Sequence, residues 1–140
     1  MMTTLYTTTA TASAGRNGQV ATDDGMLSLE LSYPKEMGGT GAATNPEQLF
    51  AAGYAACFSN AILHVAREMK IKITAAPVSA EVGIGPNATG GFALTVSLAI
   101  ELALPQADAE KLVATAHQVC PYSNAVRGNI DVQLSVKGQA

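Results

Sequence analysis

One uninterrupted run of small and apolar residues constrains this chain more than any other feature of its sequence. Between Glu47 and Arg67, the sequence QLFAAGYAACFSNAILHVA contains no Asp, Glu, Lys or Arg. Thr44 or Asn45 can cap a helix and Pro46 suits its first turn, so the pattern predicts a helix from here to about Lys70. A helix that is apolar nearly all round must be covered on several faces, and one short chain has little material to cover it. The run therefore favours a buried helix and a homodimer.

The same run is long enough to be compared with a membrane span. It consists largely of small alanines, however, and Ser59, Asn60 and His64 interrupt it. We interpret it as a buried helix of a soluble protein. The N-terminal sequence MMTTLYTTTATASAG has neither a cationic start nor an apolar core of signal-peptide length, which favours a reducing cytoplasm. A purely structural disulfide is disfavoured in that compartment.

Hydrophobic alternation on both sides of this helix predicts strands, and Pro121 predicts the end of a second helix. The order of strands, helix, strands, helix and strand is that of an α+β fold. No repeat or linker divides the 140 residues, so we expect a single domain over residues 1–140. The predicted strands are residues 5–12, 26–32, 78–84, 91–102 and 130–136, with a hairpin turn at residues 85–87, and the second helix covers residues 105–119.

Charge and metal-ligand spacing exclude two classes of function. The net charge is −3 and the 8 Lys and Arg residues form no basic stripe, so a nucleic acid is an unfavourable partner. Two distant cysteines, together with His64 and His117, do not match the spacing of a zinc site. The sequence predicts no metal and no cofactor, and the two histidines are interpreted as helix-face residues.

The two cysteines differ in their surroundings. Taken alone, Cys57 in the apolar run is interpreted as a small core residue. Cys120 precedes Pro121 at the end of the second predicted helix, where a thiol is expected to be more accessible and able to change partner.

The residues around both cysteines resemble the two cysteine motifs of the OsmC/Ohr family, in particular its organic hydroperoxide resistance (Ohr) branch. These segments are NPEQLFAAGYAACFSNAI at 45–62 and VCPYSNAVRGNI at 119–130. SAGRNGQV at 13–20 and GGTGAATNPEQLF at 38–50 extend the resemblance over essentially the whole chain. Tyr122 and Asn124 look more like the Ohr branch than the OsmC branch.

The resemblance implies a thiol-dependent peroxidase that reduces organic hydroperoxides to alcohols. It also implies an intertwined homodimer in which antiparallel sheets wrap long central helices. Cys57 would be the peroxidatic cysteine, Cys120 the resolving cysteine, and Arg16 with Glu47 the charged pair that organises the thiolate. Dithiols, in particular lipoyl groups of protein partners, would reduce the oxidised protein.

Helix geometry bears on these implied roles. Cys57 lies about 12 residues, roughly 18 Å, beyond the predicted helix start, where the helix dipole no longer stabilises a thiolate. A cation must do so, and Arg16 is the candidate, although an exposed surface arginine is the plainer interpretation. Glu47 lies ~15 Å from Cys57 along the helix, so we expect Arg16 and Glu47 from one subunit to meet the cysteines of the other. Glu47 also suits the first turn of a helix as an acid.

Four apolar residues are candidates for a pocket that holds an alkyl peroxide: Met37, Phe50, Tyr54 and Phe58. Core packing explains the same residues equally well. Two other functions stay open, a non-enzymatic module that binds apolar ligands and a structural dimer with two inert thiols. Paired cysteines in a reducing compartment favour the enzyme.

Overall fold

The computed structural model describes residues 2–139, and over this range it has two three-stranded sheets and three α-helices. The α+β order predicted from the sequence is confirmed. In chain order the elements are β1 (Ala10–Ala12), β2 (Gln19–Thr22), β3 (Ser28–Glu30), α1 (Pro46–Glu68), β4 (Val78–Pro86), β5 (Phe92–Pro105), α2 (Gln106–Val119), α3 (Pro121–Val126) and β6 (Gln133–Gln139).

Internal contacts divide the chain into an N-terminal unit that ends at Leu49 and a C-terminal unit that starts at Phe50. The boundary falls inside α1, so the first residues of this helix belong to one unit and the remainder to the other. The single domain expected from chain length stays a prediction.

The N-terminal unit contains an antiparallel sheet in the order β1-β2-β3. Both strands predicted here are shorter than expected, since β1 and β3 have three residues each. The threonine-rich segment before β1 is exposed and has no buried face to hold it in a sheet. Strand β2 was not predicted, because four residues are too few to show a period.

The C-terminal unit contains the predicted hairpin and one strand pairing that the sequence did not predict. Strands β4 and β5 are antiparallel, and the Asn87 side chain closes their turn by accepting hydrogen bonds from the N–H groups of Thr89 and Gly91. The expected antiparallel pairing holds for the other strands, whereas β6 pairs with β5 in parallel. A parallel return needs a long crossover, which α2 and α3 supply.

The core of the C-terminal unit lies between the sheet and the two longer helices. Every second residue of β5 from Val96 to Leu102 is buried, as its alternation predicts. On the helices, the buried residues of this core are Tyr54, Phe58, Ala61, Ile62, Val65 and Ala66 of α1 and Ala109, Leu112, Val113 and Ala116 of α2.

Helix α1 buries one face in this core. Among the described residues it is the one helix long and apolar enough to span a membrane, with a mean hydropathy of 1.4 and 33% of that window buried. The buried residues of α1 confirm its interpretation as a core helix for one of its faces. Ala52, Ala56 and Asn60 lie on a face that this chain leaves exposed, and the homodimer expected to cover it stays a prediction.

Candidate active site

The two cysteines lie side by side although most of the C-terminal unit separates them in sequence. Cys57 belongs to α1 and Cys120 connects α2 to α3, and their Sγ atoms are 3.7 Å apart with both thiols free. Cys57 is half-buried, whereas Cys120 is fully buried. The expectation that Cys120 would be the more accessible thiol is therefore wrong.

The backbone around Cys120 explains this burial. The residue has φ −59° and ψ 123°, the extended conformation that proline imposes on the residue before it. Its N–H donates to the Ala116 carbonyl, and its own carbonyl accepts from the Asn124 N–H. Because α3 starts at once with Pro121, Cys120 lies between two helices rather than in an open loop, and its side chain faces the core.

Burial is the largest influence on the pKa of the Cys57 thiol. It raises the pKa of the thiol, the neighbouring Cys120 raises it further, and the backbone N–H of Tyr122 lowers it by bonding to the sulfur. The net direction is upward. In a single chain Cys57 is therefore a neutral thiol at neutral pH, and thiolate chemistry needs a further stabilising group.

A cluster of aromatic rings lies against the turn of α1 that precedes Cys57. A side chain on Gly53 would bring its Cβ to 2.7 Å from the Tyr122 hydroxyl, so only glycine lets this ring lie against α1. The Tyr122 ring contacts the rings of Phe50 and Tyr54 at centroid distances of 6.3 Å and 5.7 Å. Tyr122 and Gly53 were not predicted as site residues.

A buried hydrogen-bonded triplet lies next to Cys120. Ser123 Oγ is 2.7 Å from the Tyr54 hydroxyl and 2.8 Å from His117 Nδ1, and Ser123 and Tyr54 are fully buried. Sequence reasoning missed Ser123 and treated His117 as a plain helix-face residue. A signal was present, since both lie three residues from Cys120, one on each side.

The outer side of this triplet faces a groove of about 410 Å³ whose lining includes His117, Arg127 and Asp131. Arg127 donates from Nη2 to the His117 carbonyl at 2.6 Å and also bonds to the Asn124 side chain. Burial, and secondarily the Arg127 charge, lower the pKa of His117. The ring is therefore neutral at neutral pH and can accept or donate through Nδ1, depending on its tautomer.

Arg16 and Glu47 form a bidentate ion pair in the N-terminal unit. The Nη1–Oε1 and Nη2–Oε2 distances are 2.6 Å and 3.0 Å, and both side chains are largely covered. Arg16 lies at the tip of the β1–β2 hairpin, where Gly15 has a φ of 58°, and its guanidinium lies 6.0 Å from the Tyr33 ring centroid. The plain interpretation of Arg16 as an exposed arginine does not describe this arrangement.

Glu47 is held by the start of α1. The Gln48 N–H donates to Asn45 Oδ1 at 2.9 Å, so the cap is Asn45, one of the two residues predicted for it. Glu47 lies in the first turn as an acid favoured by the helix dipole.

The four candidate pocket residues occupy different environments. Tyr54 and Phe58 are fully buried in the core, Phe50 is half-buried beside Tyr122, and Met37 is exposed in the N-terminal unit. Core packing thus accounts for Tyr54 and Phe58, and a substrate pocket formed by all four stays a prediction. Within the described residues, no cluster of three or more His, Cys, Asp or Glu side chains is arranged to hold a metal ion.

The fold and site define an α+β protein with two adjacent free thiols in its C-terminal unit and an arginine–glutamate pair in its N-terminal unit. Residues 39–135 match the family model described as OsmC-like protein. The organic hydroperoxide resistance protein of Xanthomonas axonopodis pv. citri is 50% identical over 135 residues, which cover 94% of each chain. OhrB of Bacillus subtilis, also named for organic hydroperoxide resistance, is 45% identical over 137 residues, or 95% of this chain and 98% of OhrB.

Solved structures agree with these matches. A Vibrio cholerae protein described as an organic hydroperoxide resistance protein is 71% identical with a TM-score of 0.96, over 99% of this chain and 96% of that one. The crystal structure of Bacillus subtilis OhrB has a TM-score of 0.87 at 43% identity, over 96% and 100% of the two chains. The chain therefore belongs to the OsmC/Ohr family, in its organic hydroperoxide resistance branch.

Proposed function

We propose that this protein is a cysteine-based peroxidase that reduces organic hydroperoxides to alcohols. Membership of a branch named for organic hydroperoxide resistance supports a peroxide-related redox role. The observation that supports a cysteine-based mechanism is the pair of free thiols whose sulfurs lie 3.7 Å apart. One thiol is half-buried and the other is fully buried. This is the geometry that a reactive thiol and a neighbouring thiol that captures its oxidised form require.

The chemistry balances with these two residues. The Cys57 thiolate attacks one peroxide oxygen and the O–O bond breaks, leaving a Cys57 sulfenic acid and an alkoxide that takes a proton to become the alcohol. The Cys120 sulfur then attacks the Cys57 sulfur, and the S–O bond breaks as the S–S bond forms. The hydroxyl of the sulfenic acid leaves as water with the Cys120 proton.

Formation of the thiolate requires a cation, because burial raises the pKa of Cys57 in one chain. Arg16 is our candidate, with Glu47 orienting its guanidinium through the bidentate pair. Glu47 and Cys57 lie on the same helix about ten residues, or ~15 Å, apart. We therefore propose a homodimer in which Arg16 and Glu47 of one subunit serve the cysteines of the other.

A dithiol completes the cycle in this proposal. It attacks the more accessible sulfur, Cys57, displaces Cys120, and leaves as its own cyclic disulfide while both protein thiols are restored. Lipoyl groups of protein partners have this chemistry, and a reducing cytoplasm is the compartment in which it would operate.

Intact mass spectrometry tests the proposal. One equivalent of an alkyl hydroperoxide should lower the mass by two hydrogens, and a dithiol should restore it. Cys57→Ser should abolish turnover, whereas Cys120→Ser should retain the first reduction and gain two oxygens in excess peroxide as Cys57 becomes a sulfinic acid. Full turnover by Cys57→Ser would refute Cys57 as the reactive thiol, whereas a wild-type protein that does not react with the hydroperoxide would favour a non-enzymatic module that binds apolar ligands.

Substrate preference gives a second prediction. If the half-buried Phe50 and the Tyr122 ring, which contacts it, also contact the alkyl group, each buried methylene contributes on the order of 0.8 kcal/mol to binding. A long-chain hydroperoxide should then react at least tenfold faster than hydrogen peroxide, measured as second-order rates of thiol loss. Equal rates would contradict an apolar pocket.

A further inference from the structure

The Ser123 hydroxyl ties three helices together at the turn that carries Cys120. It bonds to Tyr54 of α1 and His117 of α2, and Ser123 itself belongs to α3. Cys120 lies between His117 and Ser123 in the chain, three residues from each. One of these bonds holds the turn against α1, the helix that carries Cys57, and the other joins α3 to α2 across Cys120.

The position of this turn matters for capture of the sulfenic acid. A disulfide needs a sulfur–sulfur distance of about 2.05 Å, so from the observed 3.7 Å the two sulfurs must approach further. Cys57 is the half-buried thiol, so its sulfenic acid is open to a second peroxide molecule. Any residue that keeps Cys120 opposite Cys57 favours the disulfide over sulfinic acid.

We propose that Ser123 is a positioning residue for this resolving step, with its hydroxyl anchored by Tyr54 and His117. This inference rests on the proposed peroxidase function. The triplet is internally satisfied, since every buried side-chain nitrogen or oxygen in the described range 2–139 has a hydrogen-bond partner. Loss of the Ser123 hydroxyl leaves the Tyr54 hydroxyl buried without its acceptor or donor, which loosens the turn rather than only removing a contact.

The first test compares Ser123→Ala with Ser59→Ala under excess alkyl hydroperoxide. Ser59 is a matched control because its hydroxyl also makes a tertiary bond from the same unit, to the Ala76 carbonyl at 2.6 Å, without contacting the triplet. The initial rate of Cys57 oxidation should be similar in both variants and in the wild type. The yield of sulfinic acid relative to disulfide should rise about tenfold in Ser123→Ala alone.

The redox potential of the cysteine pair gives a readout that general loss of stability does not move. Less favourable placement of Cys120 should lower the equilibrium constant for disulfide formation in Ser123→Ala. A tenfold decrease would make the potential less negative by about 30 mV. Ser59→Ala should keep the wild-type potential.

Variants of His117 keep the test usable if Ser123→Ala does not fold. His117→Asn retains a polar group near the place of Nδ1, so its yield of sulfinic acid relative to disulfide should stay close to that of the wild type. His117→Leu removes that group and should increase the yield of sulfinic acid.

The outcomes separate this inference from the function on which it rests. A wild-type protein that forms no disulfide with peroxide overturns both. The positioning role alone is overturned if the wild-type protein forms and loses its disulfide as proposed, and Ser123→Ala has the wild-type ratio of sulfinic acid to disulfide and the wild-type redox potential. An equal shift in Ser123→Ala and Ser59→Ala, or in His117→Asn and His117→Leu, also overturns it.

Discussion

Burial is the largest cause of the pKa shifts of two titratable groups at the candidate site, Cys57 and His117. It raises the pKa of Cys57 and lowers that of His117, in both cases because the charged form loses contact with water. The neutral state of His117 suits its bond to Ser123, whereas the neutral state of Cys57 opposes its reaction. In the proposed reaction, a cation is therefore needed for the thiol and not for the histidine.

The lowered pKa of His117 predicts a loss of stability in weak acid. The unfolded chain has a histidine with an ordinary pKa near ~6.5, so below that value it binds more protons than the folded protein. The free energy of unfolding should therefore fall as the pH decreases from about 8 through 6.5 and on through the folded-state pKa. Denaturant titrations at pH 8 and pH 5 measure this change.

His117→Asn should show a smaller decrease over the same interval, because asparagine does not titrate. His64→Asn is the matched control, since this ring is about half exposed on α1, and it should retain the wild-type decrease. An unchanged pH dependence in His117→Asn would contradict the lowered pKa.

At the scale of elements, the features that depend on local pattern were predictable and those that depend on tertiary contacts were not. Helix α1 and the β4–β5 hairpin have long periodic patterns, and their observed bounds are close to those predicted. The parallel pairing of β6 depends on how α2 and α3 return the chain. The adjacent cysteines and the charged pair were indicated by resemblance. The spacing of His117 and Ser123 around Cys120 was a signal in the sequence, but their bonds to each other and to Tyr54 depend on how three helices pack.

The contact between Gly53 and Tyr122 predicts a measurable coupling between α1 and α3. Alanine in a helix interior is favoured over glycine by about 1 kcal/mol, so Gly53→Ala should be stabilising if the site were open. Here the new Cβ would meet the Tyr122 hydroxyl at 2.7 Å, and displacing the ring should cancel that gain. In a Tyr122→Ala background, Gly53→Ala should instead stabilise the protein by about 1 kcal/mol.

A double-mutant cycle from denaturant unfolding measures this coupling, which should be about 1 kcal/mol or more. Tyr122→Phe is an intermediate case, because the remaining ring atoms lie 3.2 Å from the place that the new Cβ would occupy, whereas the hydroxyl lies 2.7 Å from it. Additive effects of Gly53→Ala and Tyr122→Ala would show that the ring does not lie against α1 in solution.

At the scale of the whole molecule, the single chain leaves one helix face uncovered and one half-buried thiol without a cation in the proposed reaction. The exposed face of α1 is made of small residues that a second helix or sheet could cover, and the Cys57 thiol has a raised pKa. In the Arg16–Glu47 pair, a carboxylate already orients the guanidinium. A two-fold dimer would resolve both features with the same contact.

Mixed dimers test whether the site is shared. Arg16→Ala and Cys57→Ser homodimers should each be inactive, the first because Cys57 stays protonated and the second because it has no reactive thiol. After unfolding and refolding together, each heterodimer would have one site with both defects and one site with wild-type Arg16, Glu47 and Cys57. Up to about half of the heterodimer sites should then turn over hydroperoxide with a dithiol. If the site lay within one chain, every heterodimer site would carry one defect, so native mass spectrometry showing abundant heterodimer without recovered activity would refute the shared site.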